Sequence, residues 1–306
     1  MQTIIGANGS VGKVLAKELK NYTNEIKLVS RNPKKINDSD ILMKADLLNS
    51  VLLDEAVKGS EVVYVTIAFE YKISVWKENW PKFMLNLIES CKKHNSKIVF
   101  IDNIYMYDPK HLSNMTEETP INPISEKGKV RAQIAKMLLD AINKNEVTGI
   151  IARSADFYGP NVENSALTLT VYNNLLKNKN PQWIGKLDVI HSFTNIIDIG
   201  KSAAILGNTK DAFNQIWHLP TTEEKLTSRK WIEIYMQEMQ MKKNINAIPA
   251  WAIGPLGIFI PILKELKEMA YQYEMDYFFN STKFNKQFNY KPKTPLAGIK
   301  EIIGTK

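Results

Sequence analysis

Hydrophobic positions along the first 160 residues follow two alternating rhythms. Short runs dense in Val, Ile and Leu, at 2–5, 26–30, 41–45, 62–67, 97–101 and 148–153, read as strands. Between them, segments 11–20, 50–58, 75–94 and 126–143 carry apolar residues at helical spacing, as Val130, Ile134, Met137, Leu138 and Ala141 do in the last. Strand and helix in turn are the pattern of repeated βα units, so the expected fold is α/β with a Rossmann-like, doubly wound parallel sheet. After Pro160 the rhythm changes. Turn residues and a concentration of Trp, Met and Tyr predict a smaller, mostly helical C-terminal lobe, with helices near 166–176, 228–239 and 251–273. Segments 188–206 and 215–219 again look like sheet material. The expected division is a Rossmann-like domain at 1–160, to which 188–220 returns, and a second lobe made of 161–187 and 221–306.

Composition narrows this little but excludes much. A chain of 306 residues, 44% hydrophobic and 24% charged with 14 Gly and 13 Pro, is neither disordered nor fibrous. Its one cysteine, Cys91, cannot form an intramolecular disulfide and falls on a helical apolar stripe, where it reads as a packing residue. With no basic segment ahead of an apolar core at the start, a cytoplasmic protein is expected. The longest apolar stretch, 249–263, has 15 residues broken by Gly254, Pro255 and Gly257. A bilayer span needs about 20, so a buried helical hairpin is expected there and no membrane partner. The net charge of +8 is spread along the chain, without a basic stripe interleaved with aromatics, which argues against nucleic acid. The four histidines show no metal spacing, and there is no Gly-x-Ser-x-Gly elbow.

The candidate chemistry begins at the first turn. A strand runs straight into Gly6-Ala-Asn-Gly9-Ser-Val-Gly12 and then a helix. Gly6 permits the tight turn, Gly9 the approach of a pyrophosphate, and Gly12 close helix packing, while the helix N-terminus offers free N–H groups to an anion. About 20 residues on, where an NAD site places an acid on the ribose 2′-hydroxyl, the chain reads Ser30-Arg31-Asn32. Only four of the 40 basic residues are arginine, and one stands where a 2′-phosphate would lie, so NADP is expected over NAD. The alternative is that Arg31 caps its loop or pairs with Asp38 or Asp40. Asp46, after the third strand, is placed to accept from an adenine amine, with Leu47 beside it. The expected cofactor contacts are Gly6, Asn8, Gly9, Ser10, Val11, Gly12, Ser30, Arg31, Asp46 and Leu47.

Gly6-x-x-Gly9-x-x-Gly12, Arg31-Asn32-Pro33, Ala45-Asp46-Leu47, Arg153 through Tyr158-Gly159-Pro160, His191-Ser-Phe193 and Tyr290-Lys-Pro292 together resemble the extended short-chain dehydrogenase/reductases. More narrowly, the chain resembles the NAD-dependent epimerase/dehydratase branch and its atypical members. That resemblance implies chemistry by a Ser/Thr after the fifth strand and a Tyr and Lys four apart on the next helix. Here Asn103 stands at the Ser/Thr place, Lys127 at the tyrosine place and Arg131 at the lysine place. The usual proton relay is thus absent. Arg131 retains donors for a ribose, and it joins the expected cofactor contacts, but a guanidinium does not give up its proton. Lys127 is a candidate proton donor, since a lysine beside another cation and partly desolvated loses its proton more readily, or else a solvated helix lysine. Tyr105 and Tyr107, just past the fifth strand, are candidate replacements for the lost phenol, Tyr107 also matching a packing tyrosine of the family. Asp102 either orients one of these groups or ends its strand. Asp156, where many members have asparagine, faces the substrate or pairs with Arg153, and His191 and Tyr158 are further cleft candidates.

The expected function is therefore an NADP-dependent oxidoreductase or epimerase-like enzyme acting on a small hydroxyl- or carbonyl-bearing substrate. Trp76, Trp80, Trp183 and Phe193 line its cleft or belong to the core. The competing expectation is a non-catalytic NADP-binding redox sensor or scaffold that kept the nucleotide site while the relay decayed. The resemblance also implies a homodimer through helices 75–94 and 126–143.

Overall fold

The protein is described by a computed structural model covering residues 1–253 and 261–304. The centre of the hairpin expected at 249–263, and with it part of the helix expected at 251–273, lies outside the described residues. Two compact units emerge. Unit 1 comprises Met1–Met106, Lys127–Ser154 and Ile199–Leu219, and unit 2 comprises Tyr107–Glu126, Ala155–Asp198 and Pro220–Lys306.

Unit 1 holds a seven-stranded sheet. Its elements in chain order are β1 (Gln2–Ile5), α1 (Ser10–Leu19), β2 (Ile26–Ser30), β3 (Ile41–Lys44), α2 (Ser50–Val57), β4 (Val62–Val65), α3 (Ile73–His94), β5 (Lys97–Asp102), α4 (Glu126–Asn143, from Lys127 onward) and β6 (Gly149–Arg153). After β7 (Asp156–Tyr158), β8 (Gln182–Ile184) and β9 (Phe193–Asn195) in unit 2, β10 (Gln215–His218) completes the sheet. All pairings in it are parallel, in the order β10-β6-β5-β4-β1-β2-β3. The strands the sequence predicts here are present within a residue or two, and β1, β2, β4 and β6 are buried at every position, as strands covered on both faces must be. β3 is one of the two edges, and Ile41 and Leu42 are exposed on it. The chain order reverses between β1 and β4, which is where doubly wound sheets bind ligands, beyond the carboxyl ends of the strands.

On α4 the buried positions run Lys127, Arg131, Ile134 and Leu138, steps of four, three and four, so the two cations continue the apolar stripe and point inward. On α3 the buried face carries Trp76, Trp80, Phe83, Met84, Leu87 and Cys91. Cys91 is 1% exposed, and burial pushes its thiol up. In the native protein it is expected to react with an aromatic disulfide reagent at least about 10²-fold more slowly than in the unfolded chain, because the reagent must wait for an opening. Equal rates would show that α3 does not pack as described.

Unit 2 has two small parallel pairs, β7 with β9 and β8 with β11 (Asn246–Ile248). Its helices include a π-helical stretch at Leu167–Tyr172, and its core gathers Tyr158, Leu167, Trp183, Phe193, Trp231 and Tyr235. Among the described residues no helix is long and apolar enough to cross a membrane, and no cluster of His, Cys, Asp and Glu could hold a metal ion.

Candidate active site

The carboxyl ends of β1 to β4 surround a cavity of about 830 Å³. At its floor the chain leaves β1 through Gly6, at φ +89°, where a Cβ would lie 2.7 Å from the backbone of Ile67. A Cβ on Gly12 would lie 2.8 Å from the backbone of Ala7, which is why α1 can pack so close to the turn. Gly9 differs. A Cβ there would meet only Gly6 O at 3.4 Å and Thr66 O at 3.8 Å, ordinary contacts. The protein's own packing thus requires glycine at 6 and 12 but not at 9, which lines the cavity. Gly9 is also the N-cap of α1; no side chain caps this helix and no acid stands in its first turn. The positive end of a helix dipole is therefore left for an anion.

Asn8 Nδ2 donates to Asn32 O at 2.6 Å, tying the glycine turn to the loop after β2. The end of β2 and that loop bring Ser30 and Arg31 to the cavity wall, and Arg31 is exposed. Asp40 instead accepts from the Ile36 and Asn37 amides, and among the described residues neither Asp38 nor Asp40 forms an ion pair with Arg31. Asp46 and Leu47 line the same cavity, Asp46 Oδ1 accepting from Leu48 N at 3.1 Å. Seven expected cofactor contacts thus meet in one cavity: Gly6, Asn8, Gly9, Ser30, Arg31, Asp46 and Leu47. Ser10, Val11 and Gly12 form the first turn of α1 and do not line it.

The second expected constellation closes into a ring of contacts. Asp102 Oδ1 accepts from Arg131 Nε at 2.8 Å, from Arg131 Nη2, and from the Asn103 amide at 2.8 Å. Asn103 Oδ1 accepts from the Tyr105 amide at 3.1 Å. The Tyr105 ring stacks on Trp76, with centroids 6.3 Å apart and planes 14° apart. Trp76 meets Tyr71 edge-on at 5.5 Å. Lys127 Nζ, one helical turn before Arg131, lies 4.6 Å from the Tyr71 ring centroid and so returns the ring to α4. Asn103, Tyr105, Lys127 and Arg131 are thereby brought together.

Their states differ from the expectation in two respects. Lys127 is fully buried, so the solvated-lysine alternative does not hold. Arg131 is 4% exposed, pinned by Asp102 and enclosed by Trp80 at 4.5 Å and Phe100 at 5.1 Å. Arg153 Nε stands 3.9 Å from Asp102 Oδ2. Asp102 is therefore the counter-charge of two buried guanidiniums. Tyr107 is fully buried, as a packing tyrosine is. Trp76, Trp80, Trp183 and Phe193 are buried as well. Tyr71 was missed by sequence reasoning; its only signal was its place just past β4, on the ligand edge of the sheet.

In unit 2, His191 Nε2 lies 3.0 Å from Asp156 Oδ2, which also accepts from Tyr273 Oη at 3.2 Å. The imidazole is sandwiched between the rings of Tyr273 at 4.8 Å and Tyr277 at 4.4 Å, nearly parallel to both. Tyr158 is buried in the core of this unit, and desolvation raises its phenol.

The model of the NAD dependent epimerase/dehydratase family matches residues 3–216. The chain belongs to that family. No curated protein matches it by sequence. Its fold is similar to that of dTDP-glucose 4,6-dehydratase DesIV from Streptomyces venezuelae, solved as a double mutant with NAD and DAU bound, at TM-score 0.81 and 15% identity over 99% of this chain and 96% of that one. UDP-glucose 4-epimerase from Thermus thermophilus in complex with NAD gives 0.79 and 14%, over 99% and 98% of the two chains. UDP-glucuronic acid 4-epimerase from Bacillus cereus in complex with NAD gives 0.80 and 15%, over 100% and 99%.

Proposed function

We propose that the protein is an NADP-dependent oxidoreductase or epimerase-like enzyme acting on a small hydroxyl- or carbonyl-bearing substrate. The observation that carries this is the cavity that joins an uncapped helix N-terminus, a glycine its own fold does not require, and Arg31. The turn from Gly6 to Gly12 and the start of α1 would hold the pyrophosphate. Ser30 and Arg31 would hold the 2′-phosphate, and Asp46 and Leu47 the adenine. When bound, the nicotinamide supplies or takes up a hydride. Unit 1 is the nucleotide-binding part in this reading, and unit 2 supplies substrate contacts. Asn103, Tyr105, Lys127 and Arg131 form the catalytic end. Lys127 brings a buried positive charge to the tyrosine place, while Arg131, engaged by Asp102, holds the turn of Asn103 and Tyr105 in register with α4.

Calorimetric titration with NADPH and NADH tests the cofactor reading. NADPH is expected to bind more tightly, and Arg31→Ala to narrow the ratio by about tenfold, as one charged hydrogen bond to phosphate warrants. Equal affinities in the wild type overturn the preference for NADP, and no heat with either nucleotide overturns the function. Tight NADPH binding without turnover of any aldehyde, ketone or sugar nucleotide supports the sensor instead.

A further inference from the structure

We propose that Tyr71, from the segment after β4, is the proton-bearing phenol of this site, and that Lys127 on α4 is its charge partner. The inference rests on the reading of unit 1 as a nicotinamide-dependent enzyme and names the group that reading leaves out. Position 127 carries no phenol, and Arg131 beside it cannot release a proton. Two phenols remain in the ring of contacts, one on each side of Trp76. Tyr105 lies nearly parallel to the indole at 14°, its centroid 6.3 Å away. Tyr71 meets the indole edge-on at 84° and turns its face to Lys127 Nζ, 4.6 Å from the ring centroid. Tyr71 is partly buried, whereas Lys127 is fully enclosed, so the ammonium acts on the phenol through little water. Glu70 and Val75, which flank this turn in the chain, both line the dinucleotide cavity. Tyr71 thus belongs to a segment that borders this cavity on either side in the chain, and it has a fixed cation close to its ring.

In carbonyl reduction the hydride is the contribution of reduced nicotinamide. The Tyr71 Oη–H bond breaks as the substrate oxygen takes that proton, and the electron pair stays on Oη. Lys127 offsets the resulting charge, and water returns a proton to Oη. In the oxidising direction the same oxygen removes the hydroxyl proton. A cation this close favours the phenolate, which gives the proposal a readout that needs neither cofactor nor substrate.

The ultraviolet tyrosinate band is followed against pH in wild type, Tyr71→Phe, Lys127→Met and the double variant. The component lost in Tyr71→Phe is expected at a pH about one unit lower with Lys127 present than in Lys127→Met. An unchanged position overturns the pairing. Lys127→Gln repeats the comparison should the methionine variant fail to fold, circular dichroism being the check. In a second arm, NADPH oxidation is measured with a panel of aliphatic aldehydes and ketones. Tyr71→Phe is expected to lower kcat by about 10²-fold or more while NADPH affinity stays at the wild-type value. Loss confined to Tyr105→Phe, with Tyr71→Phe turning over as wild type, overturns the proposal. If the wild type binds NADPH but reduces nothing, the enzyme reading fails, and the tyrosinate arm still decides whether Tyr71 and Lys127 are coupled.

Discussion

Replacing Asp102 by alanine is expected to lower the unfolding free energy by about 3–5 kcal/mol, the cost of leaving buried charge without its partner. The carboxylate is fully buried, and Arg131 and Arg153, at 4% and 2% exposure, both face it. Removing it leaves the Arg131 guanidinium, which water does not reach, without its counter-charge, and takes from Arg153 the carboxylate 3.9 Å from its Nε. The aromatic walls around Arg131 soften this only in part, since a cation over a ring recovers about 2 kcal/mol at most sites of this kind. Denaturant unfolding followed by tryptophan fluorescence measures the loss. The double variant Asp102→Ala with Arg131→Met is expected to regain at least about 1–2 kcal/mol, because methionine fits an aromatic enclosure and needs no counter-charge. A single variant that loses less than about 1 kcal/mol would falsify the view of Asp102 as the anchor of this cluster. The second consequence is positional. Asp102 Oδ1 also accepts from the Asn103 amide, so its loss frees the turn that presents Asn103 and Tyr105.

The sheet was legible because buried parallel strands need uninterrupted apolar runs, and such runs are rare outside them. The helical period of α4 was legible too, although it left Lys127 open between a desolvated and a solvated place; the structure sets Lys127 and Arg131 on one buried stripe with Ile134 and Leu138. What faces them was not legible. Asp102 lies 29 residues from Arg131 in the chain, and only the pairing of β5 with β6 sets Asp102 beside Arg153. The link between Asp156 and His191, 35 residues apart, likewise depends on β7 lying against β9. Tyr71 was illegible for another reason. It belongs to no periodic element, and its significance comes from the Lys127 ammonium over its ring, a contact that no spacing encodes. At the glycine turn, by contrast, local rules suffice. Strand, turn and helix follow one another without a gap, so the spacing that fixes the backbone also aims the helix dipole.

That turn carries the other large effect, and position 9 separates folding from binding there. Gly9→Ser is expected to leave stability within about 0.5 kcal/mol of wild type or slightly above it, because serine is a favoured N-cap. The backbone at Gly9, φ −66° and ψ 162°, suits any residue, and a Cβ would meet nothing closer than 3.4 Å. Yet NADPH affinity is expected to fall by about 10²-fold, since the new hydroxyl takes the amides of α1 that a phosphate would use and its carbon stands in the phosphate's path. Gly12→Ser should do the reverse of this separation. Its Cβ would fall 2.8 Å from the backbone of Ala7, so α1 must shift, destabilising the fold by about 1–3 kcal/mol before any ligand is added. Thermal unfolding and calorimetric titration of the two variants side by side check the contrast. If Gly9→Ser binds NADPH as wild type does, the pyrophosphate does not lie over this turn, and the glycine at position 9 has no explanation left in the structure.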